Sequence, residues 1–250
     1  MADIPHYDKV LLDIEGTTTS ISFVFDVLFP YARDHVASFL SENADEPAVS
    51  ADIDALAAQA KEDREAGYGD APLIPSSGPE RVEAAVANVL WQMDRDRKTT
   101  GLKSLQGKIW KHGYAQGTLQ GHVFPDVPEA FQRWRSAGVA IYIYSSGSVA
   151  AQKLLFGNAI AGDLTPLISG YFDTTTGPKR EQESYAAIAH TIGCKPADLL
   201  FVTDVLAEAE AARASDVPAV ISSRPGNHPI DDHDFPVITS LSALFEGGTK

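Results

Sequence analysis

Cysteine is nearly absent from this 250-residue chain: it occurs once, at Cys194. No disulfide can form within the chain, so a covalent framework cannot hold the fold together, and a reducing compartment suits the sequence. Cys194 itself reads as a small packed residue near a helix end rather than a nucleophile. Basic residues are also in deficit, with 20 Lys and Arg against 34 Asp and Glu and a formal net charge of −14. Such a surface repels nucleic-acid backbones and anionic membranes on average, so neither is an expected partner. A small anionic substrate is not excluded, because a few local cations and a metal ion reverse the potential inside one pocket. Long apolar runs are missing too. No stretch approaches the roughly 20 residues of a membrane-spanning helix, and residues 1–9 lack a basic region followed by an apolar run, so no signal peptide is expected. The expectation is a soluble cytoplasmic protein. Neither G-x-x-x-x-G-K-[ST] nor H-E-x-x-H occurs, which leaves P-loop nucleotide hydrolysis and zinc-peptidase chemistry unsupported.

What is present is enough apolar material, 44% of residues, for one large domain or for a core domain carrying a smaller insert. Residues 9–14 (KVLLDI) form a short apolar run that ends in an acid just before Gly16, the pattern of a buried strand stopping at a functional loop. Residues 139–146 (VAIYIYSS), 199–204 (LLFVTD) and 217–222 (VPAVIS) have the same character, and 237–239 is a last short run. Helix-like segments at 127–136 and 183–192 precede two of these strands, with Gly138 and Gly193 placed to stop them. Strands alternating with helices predict an α/β fold with a parallel sheet covered on both faces. Between residues 22 and 120 the pattern changes. Helical spacing runs through 23–43, 51–66, 79–97 and 102–115, with Pro30 set to kink or end the first. Residues 67–78 are rich in Gly, Pro and Ser and read as a loop. A helical unit is therefore inserted after the first strand.

Ligands of open parallel sheets bind beyond the carboxyl ends of the strands. Three strands here end in residues suited to phosphate chemistry: Asp13-Ile14-Glu15-Gly16-Thr17, Ser145-Ser146-Gly147-Ser148, and Thr203-Asp204 with Glu208 four residues on. Lys179 lies in a Gly/Pro-containing loop ahead of the third. Mg²⁺ takes hard oxygen ligands and keeps several waters, so Asp13 and Asp204, with the carbonyl of residue 15, suffice for it. An aspartate can attack phosphorus and form an aspartyl-phosphate, while metal and lysine neutralise the repelling charge. Serine hydroxyls and the N–H groups of Ser146 and Gly147 at a helix start can hold phosphate oxygens. Glu15 can protonate a leaving alkoxide and then activate water. Taken singly, each is commonplace: D-x-E is usually a solvated turn, S-S-G-S and T-D are usually helix caps, and a lone lysine is usually at the surface. Their conjunction, in this order, carries the reading.

The ordered set resembles the haloacid dehalogenase superfamily, whose motifs are Asp-x-Asp-x-Thr, a Ser or Thr at a strand end, a Lys, and one or two acids. Asp13, Ser145 or Ser146, Lys179 and Asp204 fall on those positions. Glu15 departs from the usual second Asp and points to a narrower likeness. Residues 13–18 (DIEGTT), 27–33 (VLFPYAR), 96–110 (DRKTTGLKSLQGKIW), 122–126 (HVFPD), 141–156 (IYIYSSGSVAAQKLLF) and 224–227 (RPGN) resemble the enolase-phosphatases of methionine salvage. That resemblance implies a Rossmann-like core of residues 1–20 and 121–250 and an all-helical cap of residues 21–120 closing over the site. It implies one Mg²⁺ per chain at Asp13, Glu15 and Asp204, with Ser145, Ser146 and Lys179 on the substrate, Asp13, Glu15 and Lys179 as the catalytic residues, and a monomer. The implied substrate is 2,3-diketo-5-methylthiopentyl 1-phosphate, enolised and then dephosphorylated to the acireductone. Other readings are a phosphatase of the same superfamily acting on another small ester, a dehalogenase, for which Asp204 and Glu15 would have no task, and a silent binding protein of the same fold. Residues 228–234 (HPIDDHD) read as a solvated acidic turn, Trp91, Trp110 and Trp134 as helix packing, and Phe23 as either pocket lining or packing.

Overall fold

The computed structural model describes residues 4–245. Six parallel strands form one sheet in the order β3-β2-β1-β4-β5-β6. They are β1 (Lys9–Leu12), β2 (Ala140–Tyr144), β3 (Gly170–Phe172), β4 (Leu199–Thr203), β5 (Ala219–Ser222) and β6 (Val237–Ile238). The chain leaves β1 for β2 and β3 on one side, then crosses to β4, β5 and β6 on the other. The carboxyl end of β1 is thus the switch point where the strand order reverses, the place where open α/β sheets bind ligands. The register fixes what meets there: Leu12 lies opposite Ile143 of β2 and Val202 of β4, so Asp13, the serines after β2 and Asp204 emerge side by side. Val10, Leu11 and Leu12 are fully buried, as are all five residues of β4, the continuous apolar runs of strands covered on both faces.

The crossover helices are α5 (Asp126–Ser136), α6 (Val149–Gly157), α7 (Gln182–Ile192) and α8 (Leu206–Ala214). Helix α5 carries Asp126 and Glu129 in its first turn and Arg133 and Arg135 in its last, which matches its macrodipole at both ends. Helix α7 stops at Gly193, whose φ of 74° gives the left-handed cap that returns its N–H to the Ala189 carbonyl. Cys194 follows it, half-buried against the apolar cluster of Tyr185, Ile188 and Phe201. Trp134 of α5 is buried, its indole N–H donating to the Leu244 carbonyl.

Two compact units divide the chain. One takes the residues up to Val24 and from Gln120 onward, the other Phe25–Leu119. The second unit is helical: α1 (Phe29–Asn43), α2 (Pro47–Glu65), α3 (Arg81–Met93) and α4 (Thr100–Ala115). Both α1 and α2 pack on α3 and α4 around Val36, Leu40, Ile53, Leu56, Val89, Leu102 and Leu105. The segment that spacing predicts as one helix from residue 23 begins instead as a π-helical turn, Phe23–Leu28. Pro30 does not end the helix: it sits in the first turn of α1, directly after the π-helical turn, the part of a helix where proline is tolerated. Helix α3 stops at Met93, short of the predicted Arg97, because the chain turns at Asp96 with φ 48°. Trp91 stacks edge-on against Tyr68, and the Trp110 indole donates to the Leu28 carbonyl. No described helix is long and apolar enough to cross a membrane.

Candidate active site

Asp13 leaves β1 into the sheet's switch point and is buried. Its Oδ1 accepts from the Ile14 N–H at 2.7 Å and lies 2.6 Å from the Lys179 ammonium. Among the described residues its Oδ2 has only a long contact, 3.3 Å, from the Thr203 hydroxyl. One oxygen is therefore held by two donors, and the other keeps its lone pairs for a phosphorus or a cation. Lys179 also lies 2.7 Å from Glu208 Oε2, and the Thr203 hydroxyl donates to that same oxygen at 2.9 Å. A hydroxyl has one proton, and the shorter geometry places it on Glu208. Glu208 and Thr203 thus build a buried bridge beneath the lysine.

The loop that carries Lys179 is tied by its carbonyls. The Tyr144 hydroxyl donates to Gly177 O at 2.8 Å, Ser184 to Pro178 O at 2.7 Å, and Tyr185 to Lys179 O at 2.6 Å. These tethers let an ammonium with a 9% exposed side chain sit at a defined point rather than in solvent.

The turn after β1 depends on Gly16. Its φ is +66°, and a Cβ there would lie 2.1 Å from Asp204 Oδ2. No other residue leaves room for the Asp204 carboxylate. The Gly16 carbonyl accepts from the Ser222 hydroxyl and the Asn227 amide, and Arg224 Nε donates to the Thr17 carbonyl. Arg224 is in turn paired with Asp126 at 2.9 Å. The RPGN segment after β5 therefore buttresses the first motif from across the sheet. Glu15, half-buried, forms an isolated bridge with Thr19.

The second strand end departs from expectation. Ser145 is buried and Ser146 exposed. The Gly147 N–H, expected to face a phosphate, donates to Ser145 Oγ at 3.2 Å. The helix start lies two residues later: Ser148 is the N-cap of α6, accepting from Ala151 N–H, and Asp173 takes the Val149 N–H. The strand ends at Tyr144, so the serines belong to a turn and not to the first turn of α6. Phe23, within the α/β unit, is buried and stacks on His122 with ring centroids 5.7 Å apart. His228, Asp231 and Asp232 are exposed, and Asp234 pairs with Arg213 at the surface.

Three carboxylates, Asp13, Asp204 and Glu208, surround one ammonium. Burial, and next the Asp13 charge, push Asp204 up to about 7 despite Lys179. Glu208 is pushed up to about 7 in the same way, burial first and Asp13 second, with Lys179 opposing. Burial alone would lower the Lys179 pKa, but Asp13 and Glu208 more than reverse it and the ammonium stays charged. The ion pair thus wins at the lysine and loses at Glu208, because the site holds more negative than positive charge. Without a cation it resolves that excess by taking up protons. A divalent cation would remove it outright, and the donor set is hard oxygen. Among the described residues no group of three or more His, Cys, Asp or Glu side chains is placed to hold a metal. Mg²⁺ does not demand one, since one or two carboxylates, a carbonyl and waters complete its octahedron. The carboxylates of Asp13 and Asp204 are of the kind it takes.

The structure brings Asp13, Lys179 and Asp204 together at one sheet end. Thr203 was named at its strand end without its bond to Glu208, and Tyr144 and Tyr185 were missed, because their part depends on long-range register. Asn227 stood within the RPGN segment without a stated role.

The family model for haloacid dehalogenase-like hydrolases matches residues 7–216. An enolase-phosphatase E1 of Synechococcus elongatus is 53% identical over 235 residues, covering 94% of this chain and 96% of that one. A probable bifunctional methylthioribulose-1-phosphate dehydratase/enolase-phosphatase E1 of Vitis vinifera is 50% identical over 94% of this chain and 46% of its own length. Among solved structures, the UTR4 protein of Saccharomyces cerevisiae superposes with a TM-score of 0.78 at 34% identity, covering 96% of this chain and all of that one. A motif-bearing switch point of this geometry, matched along nearly the whole chain, has one reading: the chain belongs to the haloacid dehalogenase-like hydrolases and, within them, to the enolase-phosphatase E1 family.

Proposed function

We propose that the protein is a Mg²⁺-dependent enolase-phosphatase of methionine salvage, acting on 2,3-diketo-5-methylthiopentyl 1-phosphate. The observation that carries the phosphatase half is the Lys179 ammonium 2.6 Å from Asp13 Oδ1 at the sheet's switch point. The full-length likeness to enolase-phosphatases supports the substrate, as does the relative in which such a segment is joined to a methylthioribulose-1-phosphate dehydratase.

In the enolase half, a proton leaves the carbon beside the ketone and the carbonyl oxygen gains one, giving the enol. Glu15 is the proposed base. In the phosphatase half, Asp13 Oδ2 attacks phosphorus, the bond from phosphorus to the substrate oxygen breaks, and Glu15 protonates the departing alkoxide. A water that Glu15 deprotonates then attacks the aspartyl-phosphate, releasing phosphate and restoring the Asp13 carboxylate. Lys179 offsets charge on the phosphoryl oxygens, and Ser145 and Ser146 hold them. Asp13, Asp204 and the Glu15 carbonyl would hold a divalent cation, which would further neutralise the phosphoryl group and polarise the substrate carbonyl. The helical unit, inserted in the chain directly after the first motif, is the proposed cap and bears the specificity for the methylthio tail. The enzyme is proposed to work as a cytoplasmic monomer; the single cysteine suits a reducing compartment.

The test is one assay with the diketo ester, with Mg²⁺ or chelator, following enol absorbance and free phosphate together. Both signals only with Mg²⁺, the enol leading, is the expected result. Phosphate from simple esters with the diketone untouched would overturn the substrate and leave the phosphatase. Asp13→Asn should abolish phosphate release and retain Mg²⁺-dependent ligand binding.

A further inference from the structure

We infer that Asn227 is a positioning residue of the cation site, its side-chain oxygen accepting a hydrogen bond from a water bound to the divalent ion. The inference rests on the proposed metal at Asp13 and Asp204. It begins with the orientation of the amide. Asn227 Nδ2 donates to the Gly16 carbonyl at 2.9 Å and to the Ser222 carbonyl at 3.1 Å. The opposite orientation would set an oxygen against two oxygens, so the amide has only one arrangement here. Oδ1 must therefore face the other way, and there it is buried and accepts no hydrogen bond from any described group.

What it faces is the first motif. The point where a Gly16 Cβ would stand lies 3.0 Å from Asn227 Oδ1 and 2.1 Å from Asp204 Oδ2. Two acceptor oxygens thus lie beside Gly16, where the room that the glycine leaves is taken by the Asp204 carboxylate. Once a cation holds Asp204 ionised, its carboxylate offers no proton to Asn227. A water held by a cation offers two, and it points them away from the metal toward outer acceptors. Mg²⁺ keeps several of its waters, and the groups that orient them tune its affinity. Asn227 reaches this place because Arg224 and Ser222 fasten the segment after β5 to the turn after β1.

The experiment is Mg²⁺ titration by calorimetry on the full chain for wild type, Asn227→Ala, Asn227→Gln, Ser222→Ala and Asp204→Asn, with folding of each checked by thermal unfolding in chelator. Asn227→Ala should bind Mg²⁺ about 10-fold more weakly, in the range seen for outer-shell groups. Ser222→Ala, which removes the other side-chain support of the Gly16 carbonyl and leaves the Asn227 oxygen in place, should bind as wild type. If Asn227→Ala binds as wild type, the inference is wrong. Equal weakening of Asn227→Ala and Ser222→Ala assigns Asn227 to loop support alone and also overturns it. Should Asn227→Ala fail to fold, Asn227→Gln, which keeps the amide but displaces its oxygen, decides by itself, binding as wild type counting against. Asp204→Asn separates the two readings: if it binds as wild type, the metal site itself is misplaced.

Discussion

At Gly16 a missing methylene does two jobs. The left-handed backbone turns the chain back toward the sheet, and the absent side chain leaves room for Asp204. Gly16→Ala should leave the bulk of the fold intact, because the strain is local. It should still displace the Asp204 carboxylate, and misplacement of a reacting constellation by about 1 Å costs on the order of 100-fold in rate. Steady-state phosphate release with circular dichroism as the folding control checks this; an active variant would mean the turn can relax. Lys179 makes the complementary case. Removing the ammonium leaves Asp13 and Glu208 buried together without a cation. Lys179→Met should cost about 3–5 kcal/mol of unfolding free energy in chelator at neutral pH, the usual penalty for an orphaned buried charge. Adding Glu208→Gln should recover part of that cost, since it removes one of the two charges left behind. A double-mutant cycle by urea unfolding reads the coupling, and simple additivity would deny it.

Among elements, the loop between β3 and α7 shows how secondary structure delivers one atom. Its direction is set by three carbonyls held by Tyr144, Ser184 and Tyr185. Tyr185→Phe removes the donor to the Lys179 carbonyl and keeps the ring packed on Phe201. It should lower stability by about 1 kcal/mol, the net worth of one hydrogen bond, and lower kcat/KM, because the lysine it positions meets both Asp13 and the substrate phosphate. Unchanged kcat/KM would show the tether to be structural only. Such elements also mark what could be read beforehand. The strands around Asp13 and Asp204 were legible as buried apolar runs ending in acids, and the Lys179 loop from its Gly and Pro. Strand β3 was not, being three half-buried residues with no room for a pattern. The turn Phe23–Leu28 was not either, since apolar spacing does not separate a π-helical turn from an α-helical one. Neither the Glu208 partner of Thr203 nor the role of Asn227 could be assigned in advance. Asn227 acts on Gly16 from 211 positions away, and only the sheet order brings them together.

For the molecule as a whole, the switch point holds three carboxylates against one ammonium, and that local excess predicts how pH and Mg²⁺ act together. Asp204 and Glu208 are both pushed up to about 7 by burial and by the Asp13 charge. Raised carboxylates mean that between their unfolded values near 4 and about 7 the folded state holds more protons than the unfolded one. Stability of the metal-free protein therefore falls as pH rises through that window. Asp126 works in the opposite sense: burial would raise it, but the Ser240 hydroxyl, the Arg224 guanidinium and the Leu241 N–H hold it down. Its contribution is lost only on acidification below about 4, outside the same window. Mg²⁺ competes with the protons for Asp204, so its stabilising effect must grow as they leave. At 100 times its dissociation constant a ligand adds about 2.7 kcal/mol. For a chain of this size that is roughly 5–10 °C in Tm. The difference between Tm in Mg²⁺ and Tm in chelator should therefore be small near pH 5.5 and reach that range by pH 8. A difference independent of pH would mean that the excess charge at the switch point is not what the cation answers.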